Sequence, residues 1–227
     1  MKFEFLLIDL DDTILDFHKA EYIALGKTLE SFGLEPSEQV RARYSLINKA
    51  HWERLERKEL TREQVLVGRF GVLFSEYGIT VDPRECARRY EQNLSVGHYF
   101  LPGAREALES LSRKYKLYMV SNGTARVQIG RLESADISHF FREIFISQQV
   151  GVNKPDKEFF TRCFAQIPDF DPQKAIIVGD SLTSDIQGGI NAGIATCWVN
   201  PGHKPQTIPA DYEIESLAQL EELLESL

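Results

Sequence analysis

The chain has 227 residues and a mass of 25.9 kDa, which at roughly 150 residues per domain means one large domain or one core carrying an insertion. Hydrophobic residues make up 43% and charged residues 26%, an ordinary balance for a chain that buries about 70% of its unfolded surface and needs no disulfide or metal to fold. A net charge of −8 with a pI near 5.2 disfavours a binder of nucleic acid or anionic membrane, which would carry a basic stripe; a small anionic substrate stays open, because one metal ion and one lysine reverse the field locally.

Residues 3–9 (FEFLLID) are mostly apolar and end in a carboxylate, the pattern of a central parallel strand buried on both faces. The same run is too short for a signal sequence, and no leader is expected. Residues 17–97 read as about four helices, carried by apolar positions such as Ala20 and Ala24, Val40 and Ile47, Val65 and Phe70. Turn signals at 33–36, 59–61 and 78–83 divide them, and Thr61-Arg62-Glu63-Gln64 offers a capping box. Beyond Leu101-Pro102-Gly103, helix and strand alternate: helix 104–114, strand 116–121, helix 125–134, strand 144–147, helix 157–167, strand 175–180, helix 184–192, strands 195–199 and 212–214, helix 217–224. This rhythm predicts an α/β fold with a doubly wound parallel sheet. Its core spans residues 1–16 and 99–227, with an all-helical domain, 17–98, inserted after the first strand. No apolar run approaches the ~20 residues of a membrane span. Cys86, Cys163 and Cys197 are odd in number and form no CxxC pattern, so a reducing cytoplasm is expected.

In open α/β sheets, ligands bind beyond the carboxyl ends of the strands. Those ends deliver Asp9-Leu10-Asp11-Asp12-Thr13, Ser121-Asn122-Gly123, the loop Gly151-Val152-Asn153-Lys154-Pro155, and Gly179-Asp180-Ser181 with Asp185 five residues after Asp180. Each alone is an ordinary turn or helix start. Together they bring Asp9, Asp11, Asp180 and Asp185 to one place, where unshielded carboxylates repel. A hard divalent cation resolves the conflict, and carboxylates with water suit Mg²⁺. Lys154 adds a further positive charge. The constellation points to metal-dependent phosphoryl transfer.

These residues resemble the haloacid dehalogenase-like hydrolase superfamily, whose DxDx[TV] motif matches Asp9 to Thr13, whose Ser/Thr motif matches Ser121, whose lysine matches Lys154 and whose GDxxxxD motif matches Asp180 and Asp185. The resemblance covers the whole chain and implies a Rossmann-like core. The helical insertion looks like the cap of the subgroup that includes phosphoglycolate phosphatase and β-phosphoglucomutase. The resemblance further implies that Asp9 is the nucleophile that forms an aspartyl-phosphate, and that Asp11 is the general acid and then the base. It implies that Mg²⁺ is held by Asp9, the Asp11 carbonyl and Asp180, with Asp185 orienting metal-bound water or Lys154. Ser121, the Asn122 amide and Gly123 would receive the phosphoryl oxygens. Thr13 is expected to support the turn. Dehalogenases of the superfamily lack the acid at position 11, so Asp11 favours a phosphatase, with a phosphomutase harder to exclude.

The cap segments containing Asn48, Trp52 and Arg69, with the stretch from Gly188 to Asn200, resemble the YjjG/YfnB-type pyrimidine 5′-nucleotidases. The implied substrates are pyrimidine nucleoside monophosphates such as UMP, dUMP and dTMP, including modified bases. The alternative is another small ester, a sugar phosphate or phosphoglycolate. Trp52 would stack on a base or pack between cap helices. Asn48 would bond a base edge, and Arg69 would reach phosphate or sugar or pair with a cap carboxylate. His51 reads as a helix residue and Trp198 as core. Asp16, Phe17 and His18 stand at a hinge, with Phe17 a candidate for the pocket mouth, and the loop from Asn200 to Lys204 borders the site or is only a loop. A cap that closes and opens on linkers near 14–18 and 98–103 would exclude bulk water and then admit one molecule. A monomer or homodimer is expected, with no nucleic-acid or membrane partner.

Overall fold

Four apolar residues, Phe5–Ile8, make β1. Alternation along the strand decides which neighbours each side chain meets. Leu6 and Ile8 enter one hydrophobic cluster, with Leu117, Met119, Ile176, Val178, Cys197 and Val199. Phe5 and Leu7 enter another, with Tyr118, Val120, Ile177, Phe159 and Phe160. A strand buried on both faces belongs in the middle of a covered sheet, and there it lies. The computed structural model describes residues 2–227. It divides into two units, Met1–Phe17 with His98–Leu227, and His18–Gly97.

The elements follow β1 in order: α1 (Phe17–Ser31), α2 (Glu38–Glu56), α3 (Arg62–Tyr77), α4 (Pro83–Leu94), α5 (Ala104–Lys114), β2 (Lys116–Ser121), α6 (Ala125–Ala135), β3 (Glu143–Ile146), α7 (Ser147–Val150), α8 (Lys157–Phe164), β4 (Ala175–Gly179), α9 (Gln187–Ala192), β5 (Ala195–Val199), β6 (Tyr212–Ile214) and α10 (Leu220–Glu225). The six strands form one sheet in the order β3-β2-β1-β4-β5-β6, every neighbouring pair parallel. Leu108 and Leu111 of α5 and Leu220 of α10 pack on the cluster that contains Leu6, while Phe159 and Phe160 of α8 pack on the one that contains Leu7. The α/β doubly wound reading therefore holds. No helix among the described residues is long and apolar enough to cross a membrane.

Three segments differ from expectation. The helix expected over 184–192 opens instead as a π-helical turn, Leu182–Ile186, because the Ile186 amide reaches five residues back to the Ser181 carbonyl (3.1 Å); α9 then runs on from it. The helix expected to reach 167 ends at Phe164 and tightens into three-residue turns, since Pro168 disfavours helix in the residue before it. The four-residue helix α7 has no periodic signal to announce it.

In the inserted unit the capping box read from the sequence is made, and the turn signal at 78–83 supplies a helix end and a helix start. Thr61 and Gln64 exchange both bonds of a capping box at the start of α3, and Gly78 ends that helix at φ 63°. Asp82 with Pro83 opens α4. The unit's core is the triad Tyr44, Phe70 and Tyr90, with ring centroids 5.0–5.6 Å apart, pairs that each contribute about 0.5–1.5 kcal/mol beyond their burial. In the other unit, the two chain segments that lead into and out of the insertion pair with each other. Leu15 bridges Phe100 antiparallel, the Asp16 amide donates to the Tyr99 carbonyl (2.7 Å), and the Leu101 amide to that of Ile14 (3.0 Å).

Candidate active site

The strand order reverses its direction of growth between β1 and β4, and the crevice at such a switch is where α/β sheets bind ligands. Asp9 follows β1 and Asp180 follows β4, so the two acids straddle that crevice. The Asp9 amide continues the ladder by donating to the Val178 carbonyl (2.9 Å). Lys154, only 1% exposed, arrives from the loop beyond α7. Its ammonium spends its three protons on Asp9 Oδ1 (2.6 Å), Asp185 Oδ1 (2.6 Å) and the Val120 carbonyl (2.9 Å). Burial alone would push this amine down, but Asp185 and Asp9 outweigh it and hold Lys154 above the ordinary lysine value. Asp185 also accepts from the Ser181 amide through Oδ2 (3.1 Å). The turn that brings it there needs Gly179, because a Cβ at that position would lie 2.3 Å from the Asp185 carboxyl carbon.

The remaining motif residues are anchored by the scaffold. The Asn122 side chain closes a two-way clamp on Lys154, accepting from its amide (2.8 Å) and donating to its carbonyl (2.9 Å). Asn122 therefore fixes the lysine loop with its side chain, a role the motif spacing does not reveal. The Trp198 indole donates to the Asp180 carbonyl (2.8 Å); a residue read as core is core, and also holds the main chain of an acid in the site. Asp12 sits at φ 54° and caps α1 by accepting from the Phe17 amide (2.9 Å). Thr13 is fully buried, and its hydroxyl has no partner among the described residues, so its support for the turn is packing. The Ser121 hydroxyl accepts from the Gly123 amide (3.1 Å) and from Gln128 (2.7 Å). Asp11 is held by Gln128 and Arg131 of α6, two residues the motifs did not flag. A signal was present: they are polar, one turn apart, beside the buried Val127 and Leu132.

The cap candidates form a network of their own. The Asn48 amide donates to Glu21 (2.6 Å) and accepts from Arg69 (2.8 Å). Glu21, Asn48 and Arg69 are all buried, and the Arg69 guanidinium lies 4.9 Å from the Tyr90 ring centroid. The pairing of Arg69 within the cap is thus made through Asn48 to a carboxylate. His51 bonds the Ile47 carbonyl one turn back (2.8 Å). Trp52 is half-buried, with the Arg62 guanidinium 5.6 Å from its ring.

The donor set suits a hard cation. Carboxylate oxygens of Asp9, Asp180 and Asp185 lie within 4.8 Å of one another. Burial first, then Asp185 and Asp11, lift Asp9 to about 8 against the pull of Lys154. Burial, then Asp185, Asp9 and Asp12, raise Asp180 well above the usual carboxylate range. One lysine does not balance these acids, and a divalent ion would.

A family model described as haloacid dehalogenase-like hydrolase matches residues 6–199. The chain belongs to the haloacid dehalogenase-like hydrolases. Within the family it is 40% identical over 228 residues to the pyrimidine 5′-nucleotidase PynA of Streptococcus pneumoniae, covering 99% of this chain and 96% of that protein. It is 30% identical over 226 residues to the pyrimidine 5′-nucleotidase YjjG of Escherichia coli, covering 99% of each. It is 39% identical over 226 residues to YfnB of Bacillus subtilis, a HAD-hydrolase by name, covering 98% of this chain and 96% of YfnB. A crystal structure of YfnB bound to magnesium, reported to reveal interdomain movement, superposes with a TM-score of 0.94 at 38% identity and covers 99% of both chains. With an acid at position 11 and full-length relatives of this kind, the enzyme class read from the sequence, a phosphoric monoester hydrolase, stands.

Proposed function

We propose that this hydrolase cleaves pyrimidine nucleoside 5′-monophosphates through an aspartyl-phosphate on Asp9. The observation that carries the reading is the cluster of Asp9, Lys154, Asp180 and Asp185 at the β1/β4 crevice, in a chain that aligns end to end with two pyrimidine 5′-nucleotidases. Asp9 and Asp180 would hold Mg²⁺ together with the Asp11 carbonyl, while Asp185 fixes Lys154. The ion would supply positive charge to the phosphoryl oxygens.

In the first step an Asp9 carboxylate oxygen attacks phosphorus and the bond from phosphorus to the 5′-oxygen breaks. Asp11 passes its proton to that oxygen, and the nucleoside leaves neutral. In the second step water attacks the aspartyl-phosphate and gives a proton to Asp11. The bond between phosphorus and Asp9 breaks, which restores both acids and releases phosphate. Ser121 and the Asn122 main-chain amide receive the phosphoryl oxygens, whose charge Lys154 offsets, whereas the Gly123 amide is already engaged on Ser121 Oγ. In the cap, the half-buried Trp52 is the candidate for base selection, since Asn48 and Arg69 are buried and bonded to one another, and movement on the linkers would admit the water.

The test is phosphate release from a panel of UMP, dUMP, dTMP, sugar phosphates and phosphoglycolate, with Mg²⁺ or EDTA, beside Asp9→Asn. Selective release from the pyrimidine nucleotides, abolished by EDTA and by Asp9→Asn, is expected. Metal-dependent release from a different ester would keep the chemistry and overturn the substrate.

A further inference from the structure

Arg131 is the largest fully buried side chain in the molecule that belongs to none of the family motifs, and it is an arginine. Its Nη1 donates to Asp11 Oδ1 and to Gln128 Oε1, the latter at 3.3 Å. Gln128, 1% exposed, spends both protons of one nitrogen: Nε2 donates to Asp11 Oδ2 (2.7 Å) and to Ser121 Oγ (2.7 Å). The amide can stand only this way round, since its oxygen must face the guanidinium and its nitrogen the carboxylate. Asp11 is thereby gripped at both oxygens, each keeping a second lone-pair direction. Ser121 Oγ accepts twice, from Gln128 and from the Gly123 amide (3.1 Å), so both its lone pairs are taken and its own proton is left to donate.

We propose that Gln128 and Arg131 are positioning residues for catalysis: one bracket on α6 fixes the Asp11 carboxyl and aims the Ser121 hydroxyl, holding the proton-transfer group and the phosphoryl grip in register. The assignment rests on the proposed acid and base role of Asp11. Both steps move a proton through that carboxyl, so its orientation matters in both, and misplacing a reacting group by an ångström costs on the order of 100-fold.

The test uses leaving groups. A nucleoside alkoxide needs the proton from Asp11; p-nitrophenolate leaves without one, yet its aspartyl-phosphate still needs Asp11 to activate water. For Arg131→Met we expect kcat on UMP to fall on the order of 100-fold with KM within about threefold. With p-nitrophenyl phosphate the initial burst should keep its rate within about threefold while the steady state falls, so that phosphorylated enzyme accumulates and is seen by intact mass. Gln128→Glu, which sets a carboxylate against Asp11 and Ser121, should behave alike but also raise KM. Arg131→Lys, which keeps the charge and a donor, should recover most of the loss, and Arg126→Met, exposed on the same helix, should match wild type. Equal slowing of the burst and of UMP turnover in Arg131→Met, or unchanged UMP turnover in both variants, would overturn the assignment. A wild-type protein that hydrolyses no phosphate ester would instead overturn the proposed function, and this assignment with it.

Discussion

Lys154→Met isolates the electrostatics of the site from its chemistry. The wild-type ammonium is buried and contacts two carboxylates at 2.6 Å and a carbonyl at 2.9 Å. Methionine keeps the length of the side chain and removes the charge and all three donors. Removing one partner of a buried ion pair typically costs about 3–5 kcal/mol, because the other charge is left without compensation, and here the buried Asp185 is stranded while Asp9 also loses its donor. For a chain of 227 residues, about 2–4 °C per kcal/mol converts this to a fall of roughly 6–20 °C in Tm. The assay is urea unfolding at neutral pH in EDTA, followed by circular dichroism, on four proteins: wild type, Lys154→Met, Asp185→Asn and the double variant. Removing an acid along with the lysine leaves fewer charges stranded, so the double variant should recover at least about 2 kcal/mol relative to the sum of the singles. A loss below about 1 kcal/mol in Lys154→Met, or simple additivity, would refute the view that Lys154 neutralises this cluster.

Other outcomes follow from the same geometry. Asp11→Asn should destabilise the fold by more than its partial exposure suggests, since the wholly buried Arg131 loses its counter-charge; adding Arg131→Met should restore stability, and a double variant no more stable than Asp11→Asn would contradict this. Asp9 lies near 8 without metal, so at neutral pH the ion must displace a proton. Asp180 is raised as well, so apparent Mg²⁺ affinity should rise by at least about tenfold per pH unit through the neutral range, and calorimetry giving a flat profile would contradict the site. The same shift has a sign for stability. A carboxyl raised in the folded state binds an extra proton there, so the metal-free protein should lose stability as pH climbs from the ordinary value of 3.8 toward 8, and Mg²⁺ should restore it. Cys86, Cys163 and Cys197 are buried and free, each thiol pushed up to about 12 chiefly by burial. A thiol reagent should label none of them in the native protein and all three after unfolding; rapid native labelling would refute their burial.

Much of this was legible in the chain, for physical reasons. A short apolar run that ends in an acid, set in an alternation of helices and strands, is the pattern of a buried strand delivering a carboxylate at its carboxyl end, so β1 with Asp9 and β4 with Asp180 announced themselves. Side-chain bonds are another matter. Nothing in the string Ala125-Arg126-Val127-Gln128 says that the glutamine turns inward to Ser121. Nor does the pattern distinguish Asn48 and Arg69 facing a ligand from the same residues bonded to each other, as the structure has them. The π-helical turn before α9 was missed because bonds to the fifth residue back leave no hydrophobic period to read. Asp185 depends on that turn and on Gly179, and the spacing of GDSLTSD placed it near the site without saying that both its oxygens would be engaged.

The antiparallel pairing of 14–16 with 99–101 gives the core a socket. Strands so paired stand about 5 Å apart, a gap that a turn of two or three residues closes as readily as eighty do. The hydrolase core thus treats everything between Phe17 and His98 as a loop of arbitrary length, with its ends already tied. A module grafted there meets no demand from the sheet except to leave and return at neighbouring points. In such an arrangement the inserted unit can be exchanged, enlarged or lost over evolutionary time while the carboxylates at the strand ends keep their places.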